Sequence, residues 1–201
     1  MMAAERWEEY RRDGIMDAWL SAFEAFLQTH IRNVQEAGHE VLVPAYLLQI
    51  HDASKWSEQE FSFYAQQFYG DRADPVGFAR AWLHHQNCNP HHWEYWITRS
   101  DHSKGASGAG AVDGCLSMPE EYVREMVADW MGASKTYTGS WDMSGWLTKN
   151  LPRMQLHPDT LDLVRTVLVD DLGYRCRFDV FANRYDVSVI RASGGTVEDG
   201  G

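Results

Sequence analysis

The sequence predicts an all-α protein, a single bundle of about five to seven helices. Three observations carry that expectation. Apolar residues recur at spacings of three and four over most of the chain. Helix-start signals stand in front of those stretches, at Pro44, Ser57, Asp74-Pro75 and Ser117. Strand-like alternation is confined to the segment "YRCRFDVFANRYDVSVI", where a β-hairpin within residues 174–191 competes with a further helix.

Taken in order, Leu20, Phe23, Leu27, His30 and Val34 form one face of a long first helix ending near Gly38. Pro44 opens a second, in whose first turn its missing N–H costs little; Val43, Leu47, Leu48 and His51 line its face, with Lys55 at its end. Ser57 and Glu60 make a capping-box pattern before a third helix carrying Phe61, Tyr64 and Phe68. Asp74-Pro75 starts a fourth, running to about His85, and after "NCNP" the block "HHWEYWI" resumes as a short helix. Residues 100–117 are rich in Gly and Ser and read as a mobile loop. A second capping box, Ser117 and Glu120, precedes a helix with Tyr122, Met126, Asp129, Trp130 and Ala133 on one face. A last helix spans 158–171, stopped by Gly173. The division expected is a helical domain over 1–173 and an appendage with a frayed tail over 174–201.

Composition narrows the function classes. The 201 residues carry a net charge of −11, which argues against an extended nucleic-acid surface but leaves room for a small phosphorylated ligand held through a metal ion. Cys88, Cys115 and Cys176 make neither a disulfide framework nor a thiolate zinc site. The charged start "MMAAERWEEYRRDG" lacks a signal peptide's apolar core, and no apolar run is long enough to span a membrane. A cytoplasmic location is expected.

The polar residues inside apolar stripes carry the chemistry. His30, His51 and Asp129 each interrupt the apolar face of a different helix. A buried carboxylate costs several kcal/mol unless paired or metal-bound, and a buried imidazole needs partners for both nitrogens. Taken singly, each has an ordinary explanation as a hydrogen-bonded core residue. Together they imply one shared partner, and a divalent transition metal at the meeting point of the helices satisfies all of them. Imidazole with carboxylate suits Mn, Zn, Co, Ni or Fe, as one ion or two. Asp52 stands beside His51, and Lys55 follows one turn later. The block "AWLHHQNCNPHHWEYW" adds His84, His85, His91 and His92 amid Trp82, Trp93, Tyr95 and Trp96, bulk that marks a pocket wall rather than a solvated tract. About two of the four histidines are expected to bind metal directly, the rest orienting them or meeting substrate.

The order His30, His51-Asp52, histidines within 84–92, and Asp129 resembles the HD-domain superfamily of metal-dependent phosphohydrolases, whose fold is an all-helical bundle. More closely, "HDASKWSEQEFSFYAQQFYG", "AWLHHQNCNPHHWEYW", "MPEEYVREMVADW" and "LHPDT" resemble the uncharacterised DUF5662 family of bacteria and their phages, over about residues 25–170. The resemblance implies His30, His51, Asp52 and Asp129 as the basic metal set, with His85 (preferred to His84) and either His91 or His92, here taken as His92, as the additional ligands of two-metal members. It gives Asp52 and Lys55 catalytic roles and places His91, Lys55 and Trp93 at the substrate. The implied activity is hydrolysis of a nucleotide or similar small phosphate ester. Two departures narrow it: there is no "GYP" motif of cyclic-dinucleotide hydrolysis and no conspicuous Arg/Lys clamp for a triphosphate. The rival expectations are a non-enzymatic binding protein with a structural metal, such as a phage inhibitor or nucleotide sponge, and a di-iron oxygenase of the HD type.

Overall fold

The computed structural model describes residues 13–98, 111–112, 114–179 and 184–189. Among them are seven α-helices: α1 (Ile15–Glu40), α2 (Ala45–Ile50), α3 (Phe61–Tyr69), α4 (Pro75–Cys88), α5 (Glu120–Thr138), α6 (Ser144–Asn150) and α7 (Pro158–Thr166). The fold is all-α, as its periodicity predicts. Two small antiparallel ribbons accompany the bundle. β1 (Ala111–Val112) pairs with β2 (Cys115–Leu116), and β3 (Tyr174–Asp179) pairs with β4 (Arg184–Val189) in the register Tyr174↔Val189. The C-terminal segment is therefore the hairpin, not the competing helix. No helix among the described residues is long and apolar enough to cross a membrane.

Helix α1 spans two cores. Its N-terminal half sets Phe23 and Leu27 against Tyr64 and Ala65 of α3 and Ala81 of α4. Its C-terminal half sets Val34 and Ala37 against Leu47 and Leu48 of α2, Met126, Val127 and Met131 of α5, and Leu147 and Val164 beyond. His30 occupies the turn between the two, so a polar side chain stands at the seam of both cores. The approach of α1 to α5 is close enough to require glycine at 132, because a Cβ there would lie 2.7 Å from the Val34 backbone nitrogen. Val34 follows His30 by one turn, and Gly132 follows Asp129 by almost one. That contact therefore brings His30 and Asp129 together.

Several local expectations change. Neither capping box forms: α3 and α5 begin at Phe61 and Glu120 without a side-chain cap. Instead Ser57 receives the first backbone bonds through its carbonyl, from Glu60 and Phe61. Asp74 does cap α4, accepting from the Gly77 N–H at 2.8 Å, and that helix continues to Cys88 rather than stopping at His85. Helix α1 runs on to Glu40, and the "HHWEYWI" block contains a 3₁₀ turn, Trp93–Trp96. Part of the expected 100–117 loop is the β1–β2 ribbon; residues 100–110 and 113 lie outside the described residues. The expected 158–171 helix is α7 followed by a π-turn over Val167–Asp171. Helix α6, short and glycine-containing, carries too little periodicity to be seen in sequence. The strand β4 lies against it, and Tyr174 of β3 is buried in the larger core, its hydroxyl accepting from the Met143 N–H at 3.2 Å.

Candidate metal centre

The pair His51-Asp52 is aimed by a break in the backbone. Helix α2 stops at Ile50, His51 is extended (φ −51°, ψ 127°), and Asp52 is left-handed (φ 58°, ψ 17°). A 3₁₀ turn, Ala53–Trp56, then carries the chain away. The reversal points two successive side chains into the same interior, where His51 is 3% and Asp52 0% exposed. A left-handed residue with a side chain costs about 1–2 kcal/mol, and Asp is among the few that tolerate it. Lys55, expected at the end of a continuous helix, arrives instead on the 3₁₀ turn and donates its ammonium to Asp52 Oδ2.

Asp52 divides the donors around it into two clusters. On the Oδ2 side, His30 Nε2 lies 3.2 Å from Asp52 Oδ2 and 3.1 Å from Asp129 Oδ1, and His51 Nε2 lies 3.6 and 3.5 Å from the same two oxygens. On the Oδ1 side, His85 Nε2 is 3.3 Å and His91 Nε2 3.6 Å from Asp52 Oδ1, while His92 Nε2 reaches His85 Nε2 at 2.9 Å. Within each cluster one ligand atom per residue lies within 4.8 Å of every other. Ligands at about 2.0–2.1 Å around a tetrahedral ion stand about 3.3 Å apart, so these spacings are those of an ion's coordination shell.

Hydrogen bonding supports the same fit. His30 Nε2, His51 Nε2, His91 Nε2 and Asp52 Oδ1 are buried and without a hydrogen-bond partner, so these close approaches lack hydrogen-bond geometry. Meanwhile the far nitrogens are held. His51 Nδ1 and His91 Nδ1 both donate to Glu125 Oε1, at 2.9 and 3.2 Å, and His85 Nδ1 donates to Glu60 Oε2 at 2.9 Å. A carboxylate only accepts, so each Nδ1 carries a proton and each Nε2 is turned to the shared interior.

The electrostatics keep the carboxylates ionised. Burial alone would raise the carboxyls of Asp52 and Asp129, but both are held well below the usual carboxylate range, Asp52 by Lys55 and His51 above all, and Asp129 by His30 and His51. Burial works against a charge on His51, yet Asp52, Asp129 and Glu125 together push it up to about 10. Its proton must leave before an ion binds there. His85 and His92 go the other way: burial lowers both, reinforced by Lys55 for His85 and by His91 and His85 for His92. Their imidazoles are neutral and keep lone pairs for a metal.

All six residues expected to bind metal, His30, His51, Asp52, His85, His92 and Asp129, meet in these two clusters. His91, expected at the substrate, is 2% exposed and belongs to the donor set instead. His84 stands outside with its side chain 37% exposed, bonded to Glu60 Oε1 at 2.7 Å. Sequence reading missed both glutamates: Glu60 looked like a capping residue, and Glu125 was passed over. The signal for Glu125 was present, since it lies four residues before Asp129 and shares its helix face.

A cleft of about 460 Å³ opens on this centre. His91, His92 and Asp129 form its floor, and Trp82, Trp93 and Trp130 stand among its walls. Fold and centre together define an all-α protein with buried His, Asp and Glu groups that can hold metal ions. The chain belongs to the DUF5662 family, a family of unknown function, whose sequence profile matches residues 20–170. No curated protein and no solved structure gives a significant match.

Proposed function

We propose that this protein is a metal-dependent phosphohydrolase of the HD type, acting on a nucleotide or similar small phosphate ester with one or two ions of Mn, Zn, Co, Ni or Fe. The observation that carries the reading is the placement of Asp52, which offers one carboxylate oxygen to each of two donor clusters. That is the arrangement a bridging ligand needs. Ions held there supply Lewis acidity toward a phosphoryl oxygen and an activated water.

The chain's own groups complete the site. Asp52 and Asp129 bring the anionic ligands, and Glu125 and Glu60 hold the histidines by their Nδ1 atoms. Lys55, beside Asp52 and 5.8 Å from the Tyr64 ring centroid, is a part-buried ammonium to which this reading gives the stabilisation of negative charge developing on the phosphoryl group. Asp129, 18% exposed in its side chain, lies where the donor set meets the cleft.

The test is elemental analysis of protein purified without a histidine tag, followed by phosphate release from a panel of small phosphate esters. Bound metal with phosphate release that Asp52→Asn abolishes is the expected result. Metal without release from any ester would overturn the hydrolase reading in favour of a structural metal. Two equivalents of iron with dioxygen consumption would favour an oxygenase.

A further inference from the structure

The cleft beside the centre differs from a phosphate-binding groove. Among the described residues its walls are aromatic and its charges sparse: Arg153 is the one Lys or Arg that lines it, and the acids Asp129 and Glu94 line it too. Trp82 joins wall to floor, lying over His85 at 5.7 Å and meeting His92 edge-on at 5.5 Å. Also in the lining, Trp130 is buried but Trp146 is 43% exposed, and their rings stand 5.5 Å apart, tilted by 47° rather than stacked. Trp82 is 38% exposed at the same cleft. Open indole faces next to a polar centre are surfaces on which a flat ring stacks.

We infer that the ligand of this site carries a flat, weakly polar ring that packs on the exposed cleft tryptophans Trp82 and Trp146, joined to a single phosphate that reaches the donor set over Asp129. The inference rests on the phosphate-ester reading above and adds the shape and charge of the substrate. A cleft of about 460 Å³ lies within the range of pockets for small ligands and suits a ring with a short linker. Beyond the phosphate at the donor set, a polyphosphate running along the described lining would meet Arg153 as its one guanidinium with Glu94 as a like charge, which disfavours strong binding of such a chain. A phosphorylated sugar without a ring would leave the indole faces wet.

Calorimetric titration of the metal-loaded protein tests this without turnover, using phosphonates, whose C–P bond is not hydrolysed. Naphthylphosphonate (ring and one head group) should bind at least about tenfold more tightly than methylphosphonate, which has the head group alone. Trp146→Ala should cost naphthylphosphonate about tenfold and leave methylphosphonate and the metal content unchanged. Tripolyphosphate, added as its magnesium complex, should not displace naphthylphosphonate. Equal affinities for the two phosphonates, or an indifferent Trp146→Ala, would overturn the ring assignment; displacement by tripolyphosphate would overturn the single-phosphate assignment. The phosphate-ester reading fails separately, if chelation of the metal leaves methylphosphonate binding unaltered.

Discussion

The two clusters around Asp52 are built by different means. On the Oδ2 side, His30 and Asp129 stand on long helices pressed together at Val34 and Gly132, and two carboxylates face two imidazoles. On the Oδ1 side, His85 stands in the last turn of a helix while His91 and His92 lie beyond its end, and three imidazoles face the single carboxylate they share with the first cluster. Glu125 ties the sides together, since one oxygen accepts from His51 and from His91. Glu60 serves the second side alone, through His85. The difference teaches which cluster should fill first. The first concentrates two anionic ligands on a rigid pair of helices, whereas the second offers mostly neutral ligands.

Removing what the clusters share should have the largest effect. Asp52→Asn keeps a residue that tolerates the left-handed backbone but loses the negative charge, and should take metal content from two equivalents to none. The same variant should lose the response to chelator that the wild type shows. An ion present at a hundredfold its dissociation constant stabilises by about 2.7 kcal/mol, a melting shift of about 5–10 °C for a chain of this size. A variant with full metal content would break the bridging role.

Next come the ligands peculiar to one side. His85→Ala should lower metal content from two equivalents to one, with the first cluster still filled, as read by elemental analysis after dialysis. Loss of both ions would make the clusters one cooperative unit rather than a strong and a weak site.

The orienting glutamates sharpen the comparison at smaller amplitude. Glu125→Gln should weaken both ions by about 10–100-fold, and Glu60→Gln only the second. Competition with a chromogenic chelator resolves the two affinities, and an equal effect of the two variants would contradict the asymmetry. His84→Ala should change metal affinity least, within about 0.5 kcal/mol, because its half-exposed ring touches the centre only through Glu60.

Much of the first cluster was legible in the sequence because helices convert spacing into direction. His30 and Asp129 interrupt apolar faces with periods of three and four, so their burial follows from the same pattern that buries Leu27 and Met126. The second cluster was legible only as a crowd of histidines. The preference for His85 over His84 came from the resemblance rather than from the helix, and past Asn89 the chain has no period, so His91 and His92 could not be told apart. The capping boxes failed for a related reason. A Ser and a Glu three apart satisfy the local pattern, yet Glu60 is 0% exposed and bonds to His84 and His85, two partners on another helix that the local pattern does not display.

By itself, then, the sequence determined the helical class, the stripes that form the two cores, and the residue types that converge, while leaving hairpin and helix both open near residue 180. These depend on local periodicity and on the cost of burying polar groups, both of which a linear chain displays. Only the tertiary structure decided the left-handed turn that aims both His51 and Asp52 inward, the split of donors between the two oxygens of Asp52, and the placement of Glu125 between His51 and His91. Those depend on backbone reversals and on contacts such as Glu125 with His51, 74 positions apart in the chain, which no local pattern encodes.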